Sequence, residues 1–147
     1  MDSPTILPIL KKIPIFKDLN EAEHQEIIRN IVLNYYPLGH VFFKEGDKEL
    51  NDGMYIIKHG MVKISRITPT GEDKGIAALT DNDFFGEMAL VLSEPRNATA
   101  TVISDCEAFS LRKQDFLILM QSNLTLASKI SKEFMNREKQ NNKPGLI

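Results

Sequence analysis

The first part of the chain carries apolar residues at the three- and four-residue spacing of a helix. The first stripe consists of Ile6, Ile9, Leu10 and Ile13. Asn20 and Glu23 then have the form of a capping box, in which each side chain bonds the other residue's backbone N–H. A second stripe consists of Ile27, Ile28, Ile31 and Val32. We predict a helical lead-in over residues 5–36, ended by a turn at Pro37 to Gly39.

From residue 37 the apolar pattern changes to period two, in short segments separated by turn residues. The predicted strands lie at 41–43, 54–58, 61–67, 75–79, 99–104 and 107–111. Many short strands at intervals of about ten residues are typical of an antiparallel sandwich or barrel. We predict an antiparallel, jelly-roll-like β-roll of about eight strands over residues 37–112.

Helical spacing returns after residue 112. The segment Phe116–Met120 predicts a short helix, and Asn123 can cap a second one. In that second helix Leu126, Ile130 and Phe134 stand four residues apart and share one face. We predict two C-terminal helices over residues 113–140. The chain is therefore expected to form a single domain over residues 1–147, mainly β with flanking helices.

Composition and charge narrow the class of protein. The chain has 147 residues, 42% of them hydrophobic and 26% charged, which is typical of one soluble globular domain. A net charge of −2 gives no indication of nucleic-acid binding, and no apolar run is long enough to span a membrane. The single cysteine, Cys106, indicates a reducing compartment, and we expect a cytoplasmic protein. Because Asp105 and Glu107 flank it, we interpret Cys106 as a passive residue.

One segment, Phe85 to Thr99 with the sequence FGEMALVLSEPRNAT, interrupts the period-two pattern. Gly86 followed by the helix formers at 87–90 predicts one helical turn, whose first N–H groups would face an anion. The Glu87 carboxylate could accept hydrogen bonds from sugar hydroxyls. Arg96, nine residues later, offers a guanidinium fork that suits two phosphate oxygens. Together these groups predict a site for a sugar phosphate.

The order and spacing of FGEMAL and PRNAT resemble the phosphate-binding cassette of cyclic-nucleotide-binding domains. That family includes kinase A regulatory subunits, nucleotide-gated channels and catabolite activators. The resemblance covers roughly residues 7–137 and continues through LKKIPIFKDLNEAEHQEI, FFKEGD, MYIIKHGMVKI and AFSLRKQDF. It implies that Gly86 lets the backbone approach the sugar, that Glu87 binds the ribose 2′-hydroxyl and that Arg96 pairs with the cyclic phosphate. It also implies a lid, made by the helices after the β-roll.

The resemblance implies a larger set of ligand-binding residues. Backbone N–H groups around Met88 to Leu90 and at Asn97 and Ala98 would add donors, and Thr99 would reach the phosphate or the purine edge. The full set is Phe85, Gly86, Glu87, Met88, Ala89, Leu90, Arg96, Asn97, Ala98, Thr99 and Arg137. The turn before the cassette has Asn82 where many relatives have glycine before the Asp, and Asn tolerates the left-handed conformation.

The residue that covers the purine, and the identity of the purine, stay open. Arg137 lies seven residues past Ile130 and could stack on the base, or it could be a solvated arginine near Glu133. Met135 or Phe134 could cap the base instead. Asn97 carries both a donor and an acceptor, so it does not select a base. We expect cyclic AMP first, cyclic GMP second and a cyclic dinucleotide third.

Rival functions are less consistent with the sequence. A transcription regulator would need a helix-turn-helix beyond the terminal helix, and a metal-dependent cupin would need clustered ligands, which His24, His40 and His59 do not form. We therefore expect no catalytic residues, no metal and no cofactor. The output would pass to an unidentified protein partner or to an effector domain missing from this chain. A monomer is favoured, because the apolar stripe of the last helix is needed as a lid.

Overall fold

The computed structural model describes residues 3–48, 53–92 and 94–139, with side chains between residues 4 and 135 of those ranges. The order of elements is α1 (Ser3–Leu10), a 3₁₀ turn (Pro14–Phe16), α2 (Glu21–Arg29), β1 (Val32–Tyr36), β2 (Val41–Phe43), β3 (Gly53–Ile67), β4 (Asp73–Leu79), β5 (Phe84–Phe85), a second 3₁₀ turn (Glu87–Leu90), β6 (Thr99–Arg112), α3 (Lys113–Ser122) and α4 (Leu124–Lys139). Among the described helices, none is long and apolar enough to cross a bilayer. We call Glu87–Leu90 the cassette turn.

The N-terminal helices begin as their sequence predicts. The capping box of α2 is confirmed: the Glu23 N–H donates to Asn20 Oδ1 at 2.9 Å, and the Asn20 N–H donates to Glu23 Oε1 at 2.9 Å. The prediction that the helical lead-in reaches residue 36 is wrong, because Val32–Tyr36 is strand β1. Its backbone pairs with β6, from Val32 opposite Ser110 to Tyr36 opposite Cys106. The helical spacing of Ile31 and Val32 could not reveal a partner strand so distant in sequence.

The β-roll is confirmed as an antiparallel sheet with helices on its flank. The strand order is β1-β6-β3-β4, with β2 also paired to β6 and β5 to β3. Within the residues that the structure describes, the sheet has six strands where about eight were expected. Two pairs of expected strands are continuous, since β3 runs for 15 residues and β6 for 14. The ladder shifts register around His59 and Met61 instead of ending there.

Gly60 explains how the long β3 strand bends without leaving the ladder. Its φ is +120°, and a Cβ at this position would lie 2.6 Å from the Asp105 carbonyl oxygen and 2.7 Å from the Cys106 Cα. Only glycine allows the two backbones to approach this closely. Residues 59–60 and 105–106, which separate the predicted strands, therefore lie at a bend where β3 and β6 stay paired.

Two apolar clusters hold the domain together. A helical cluster joins the N-terminal helices to α3 and α4 and to one side of the sheet, and a roll cluster fills the inside of the β-roll. The segment around the cassette turn reaches both clusters. Phe85, which is fully buried, belongs to the roll cluster, and Leu90, 1% exposed, belongs to the helical cluster. A displacement of the cassette turn therefore changes the packing of both clusters, because close-packed interiors transmit strain.

Helix α4 packs against the N-terminal helices. Its cap is confirmed, since the Leu126 N–H donates to Asn123 Oδ1 at 3.0 Å. The stripe residues Leu126 and Ile130 are buried in the helical cluster. Lys129 Nζ also lies 2.8 Å from Glu23 Oε1 in α2. The stripe that was expected to form a lid is thus occupied by the N-terminal helices here, and a lid position over the cassette would require α4 to move.

Candidate functional site

The helical turn predicted inside the β segment is confirmed as the cassette turn, which follows β5 directly. Gly86 begins it with φ +80°, a left-handed conformation that favours glycine. A Cβ on Gly86 would lie 2.9 Å from Arg96 Nη1, 2.9 Å from the Gly53 carbonyl oxygen and 3.4 Å from the Phe43 ring. The missing side chain therefore leaves the space in which the Arg96 guanidinium lies.

The Arg96 side chain is 8% exposed and is held from several directions. Its Nη2 donates to the Gly53 carbonyl at 2.8 Å, and its Nη1 donates to the Gly86 carbonyl at 3.3 Å. Its Cζ lies 4.0 Å from the centroid of the Phe43 ring, which is a cation–π geometry. A buried guanidinium held in this way is a preorganised partner for an anion.

The backbone of Arg96 is held by the turn that follows β2. The Arg96 N–H donates to the Asp47 carbonyl at 2.9 Å, and the Gly46 N–H donates to the Arg96 carbonyl at 2.7 Å. Thr99 Oγ1 accepts from the Glu45 N–H at 2.9 Å, so the Thr99 hydroxyl secures the same turn. This role of residues 44–47 could not be predicted from the sequence. The FFKEGD segment was part of the resemblance, but nothing in it identified the residue that it would position.

A cleft opens between the cassette turn and the loop that leads to β6. It is lined by Met88, Ala89, Leu92, Glu94, Pro95, Arg96 and Asn97. Four of the expected site residues therefore share one cleft. Glu87 is 3% exposed at the start of the turn, next to Gly86. Its carboxylate is desolvated there, which strengthens a hydrogen bond to any hydroxyl that reaches it.

The other expected site residues lie elsewhere. Phe85, Leu90 and Ala98 are buried in the two apolar clusters, so they can offer a ligand only backbone groups. Arg137 falls within α4, but its side chain lies outside the described residues. Its proposed contact with the base therefore stays a prediction. Asn82 adopts φ +73°, which confirms the left-handed turn expected before the cassette.

A second cation lies close to the cleft. Lys113, the first residue of α3, donates from Nζ to the Leu92 carbonyl at 2.7 Å. Burial lowers the pKa of the Lys113 ammonium, and the positive charge of Arg96 lowers it further. This contact ties the end of the cassette segment to the first C-terminal helix. This contact could not be predicted, because no pattern in the sequence relates Lys113 to Leu92.

The described residues contain no group of three His, Cys, Asp or Glu side chains that could hold a metal ion. The buried Nε2 of His24 lies 2.8 Å from the Phe16 carbonyl, so this histidine has a structural partner. Cys106 is fully buried. Burial raises the pKa of its thiol to about 11, with smaller contributions from Asp81 and Glu107, which agrees with its interpretation as a passive residue.

Several known proteins are similar to this chain in sequence and in fold. Residues 33–123 match the family model described as the cyclic nucleotide-binding domain. A cyclic nucleotide-gated potassium channel of Rhizobium etli is 33% identical over 129 residues, which cover 88% of this chain and 34% of the channel. The cyclic AMP receptor protein of Thermus thermophilus is 30% identical over 112 residues, covering 76% of this chain and 51% of the receptor.

A solved structure extends the comparison to three dimensions. The regulatory domain of Toxoplasma gondii PKA with cAMP superposes with a TM-score of 0.69 and 26% identity, covering 79% of this chain and 43% of that chain. This chain spans only about a third to a half of the two curated relatives. The family match covers more than half of the chain and includes the whole segment that bears Gly86, Glu87 and Arg96. The chain therefore belongs to the cyclic nucleotide-binding domain family.

Proposed function

We propose that this chain is a cyclic nucleotide receptor module that binds its ligand without chemical conversion and passes a conformational change to a partner or an adjoining domain. The observation that carries this proposal is the buried Arg96 guanidinium beside the cassette turn, with the Lys113 ammonium close by. Two cations close to one cleft, the first of them buried, favour an anionic ligand. The single charge of a cyclic phosphate suits such a cleft.

Each group of the cassette has a role in this proposal. Arg96 pairs with the cyclic phosphate, and backbone N–H groups of the cassette turn and of Asn97 add donors to it. Glu87 accepts a hydrogen bond from the ribose 2′-hydroxyl. Gly86 allows the sugar and the Arg96 side chain to lie against the same stretch of backbone, which a Cβ would obstruct. These contacts bind ribose and phosphate, which all candidate nucleotides share.

Cyclic AMP is the nucleotide we favour. The Thermus thermophilus relative is named as a cyclic AMP receptor, and the Toxoplasma gondii regulatory domain was solved with cAMP. Cyclic GMP and cyclic dinucleotides are the competing ligands, because no described residue of the cleft selects against them on the phosphate side. A reducing compartment such as the cytoplasm, inferred from the single cysteine, fits a receptor for a cellular messenger.

Helices α3 and α4 are the route by which we propose that binding is transmitted. Lys113 links α3 to the Leu92 carbonyl, at the end of the cassette segment. Helix α4 is docked on the N-terminal helices through Leu126, Ile130 and the Lys129–Glu23 ion pair. A nucleotide can release α4 toward the cleft only if it binds the closed arrangement more tightly than the docked one.

Calorimetric titration with cyclic AMP, cyclic GMP and a cyclic dinucleotide tests the proposal. Truncation of one partner of a buried charge pair costs about 2–5 kcal/mol, so Arg96→Ala should weaken cyclic AMP binding at least about 30-fold. Arg29→Ala, which removes an exposed charge in the last turn of α2, is the matched control and should leave binding unchanged. Circular dichroism should show that both variants are folded.

Two results would contradict this proposal. Unchanged affinity in a folded Arg96→Ala variant would remove Arg96 from the binding site. Failure of the unaltered chain to bind any of the three nucleotides would refute the assignment as a receptor. Tightest binding of cyclic GMP or of the dinucleotide would retain the receptor function and change its ligand.

A further inference from the structure

Arg66 lies on strand β3, on the face that forms the inside of the β-roll. Side chains alternate along a strand, so Val62, Ile64 and Arg66 share a face. Val62 and Ile64 are fully buried and belong to the roll cluster. Opposite Ile64 in the ladder is Ala100, which is also fully buried. Arg66 is the next residue of this interior row, at the point where the row leaves the apolar cluster and reaches the cassette loop.

The Arg66 side chain is directed at that loop. Its Nε donates to the Asn97 carbonyl at 2.9 Å, and Asn97 directly follows Arg96 and lines the cleft. This bond anchors the guanidinium group beside Asn97. Within the part of the chain that the structure describes, Asn97 is the hydrogen-bond partner of Arg66, and no second protein acceptor engages its two terminal amino groups. The Arg66 guanidinium, held by Nε on the carbonyl of a residue that lines the cleft, therefore keeps two further donors next to the cassette loop.

The role of these donors rests on the proposed function. Arg96 and Glu87 account for the phosphate and the ribose, and Arg137 is a candidate for stacking on the face of the base. A polar partner for the outer edge of the base is still to be identified. The single charge of the cyclic phosphate is already paired with Arg96. We propose that Arg66 is a specificity-determining residue that donates to the outer edge of the purine and thereby strengthens the binding of cyclic GMP more than that of cyclic AMP.

The chemistry of the two bases gives the direction of this preference. A guanidinium carries donors and no acceptor. The outer edge of guanine presents two neighbouring acceptors, N7 and O6, and accepts both donors of an arginine fork. The same edge of adenine presents the acceptor N7 beside the N6 amino group, which is itself a donor and matches only one of the two. Arg66 thus lowers the ratio of cyclic AMP affinity to cyclic GMP affinity below the value that the rest of the site would give.

Calorimetric titration of cyclic AMP, cyclic GMP and a cyclic dinucleotide into the unaltered chain, Arg66→Ala and Arg66→Lys tests the proposal. Arg66→Ala should weaken cyclic GMP binding about 10-fold and cyclic AMP binding less than about 3-fold, as expected for the loss of one bidentate contact. Arg66→Lys keeps the charge but loses the fork, so its ratio of affinities should resemble that of Arg66→Ala. Arg29→Ala is again the charge-matched control.

Several outcomes would overturn the role proposed for Arg66 and leave the receptor function intact. These are an unchanged ratio of the two affinities in Arg66→Ala, an equal loss for both nucleotides, a ratio restored by Arg66→Lys, or an unaltered chain that binds cyclic AMP but not cyclic GMP. A loss confined to a cyclic dinucleotide would assign Arg66 to a second phosphate and overturn its contact with the base. If the unaltered chain binds none of these nucleotides, the receptor function fails, and the inference on Arg66 fails with it.

Discussion

Gly86→Ala is the change that tests most directly how the cassette is built. Gly86 has φ +80°, and its hydrogen faces the Arg96 guanidinium. An alanine Cβ would lie 2.9 Å from Arg96 Nη1 and from the Gly53 carbonyl oxygen, whereas ordinary contacts of a Cβ lie at 3.4–4 Å. The side chain of Arg96 or the backbone of β3 must therefore shift by about half an ångström. Two separate costs follow, one from the backbone conformation and one from the displaced arginine.

The two costs can be given magnitudes. A left-handed conformation costs a residue with a Cβ about 1–2 kcal/mol. Displacement of Arg96 weakens its bonds to the Gly53 and Gly86 carbonyls, and a hydrogen bond to a charged group contributes about 1.5–3 kcal/mol. We expect Gly86→Ala to lower the free energy of unfolding by about 3 kcal/mol. Because the same shift moves Arg96, the group that we propose binds the phosphate, cyclic AMP affinity should fall about 10- to 100-fold.

Gly71→Ala is the matched control for the backbone cost. Gly71 has φ +89°, but a Cβ there would meet no atom within 4 Å. The Gly71→Ala variant should lose about 1–2 kcal/mol of its free energy of unfolding and none of its nucleotide affinity. Urea unfolding measures the stability of each variant, and calorimetry measures its affinity for cyclic AMP. Equal stability losses in the two variants, together with unchanged affinity in Gly86→Ala, would refute the close packing of Gly86 against Arg96.

Two further predictions concern stability. Ser65 Oγ is buried without a hydrogen-bond partner among the described residues. Ser65→Ala should therefore leave the free energy of unfolding, measured by urea titration, unchanged or raise it by about 1 kcal/mol. Ser110→Ala is the control: it loses a bond to the Val32 carbonyl and should lower the free energy of unfolding. A clear loss in Ser65→Ala would show a partner for that hydroxyl. Burial raises the pKa of the Glu23 carboxyl, but hydrogen bonds from Lys129 and the Asn20 N–H outweigh it and hold that pKa below its ordinary value. The stabilisation by Glu23 is thus present above about pH 4.5 and lost as the pH falls through the lowered pKa. Lys129→Met should therefore make the free energy of unfolding depend less on acid pH. Identical pH profiles in the variant and the unaltered chain would show that the Lys129–Glu23 pair is not the origin of this dependence.

Several parts of the domain could be predicted because their causes lie within a few residues. The capping box of α2 needs only Asn20 and Glu23, and both of its hydrogen bonds are present. The cassette turn needs a glycine followed by helix formers, and Gly86 indeed begins it. Asn82 adopts its left-handed conformation because of its own side-chain type. Interactions between neighbours in sequence decide these features, so a local pattern is enough to identify them.

The candidate site was predictable only in part. The spacing of Glu87 and Arg96 pointed to a sugar phosphate, and the structure places Arg96 at a cleft with Met88, Ala89 and Asn97. The groups that hold Arg96 in place were not predictable. The carbonyl of Gly53, for example, lies 43 residues away along the chain, and nothing in the sequence marks a backbone carbonyl as the partner of a particular arginine.

The sequence by itself determined the class of this protein, the position of its cassette and the local helical signals, because these depend on residue type and short spacing. The tertiary structure alone decided that Val32–Tyr36 is a strand and that the stripe of α4 packs on the N-terminal helices. It also decided that Arg66 reaches the carbonyl of Asn97. Each of these depends on which distant surfaces meet when the chain collapses. An apolar or charged residue has the same local pattern whichever surface it finally contacts, and only the folded chain selects the surface.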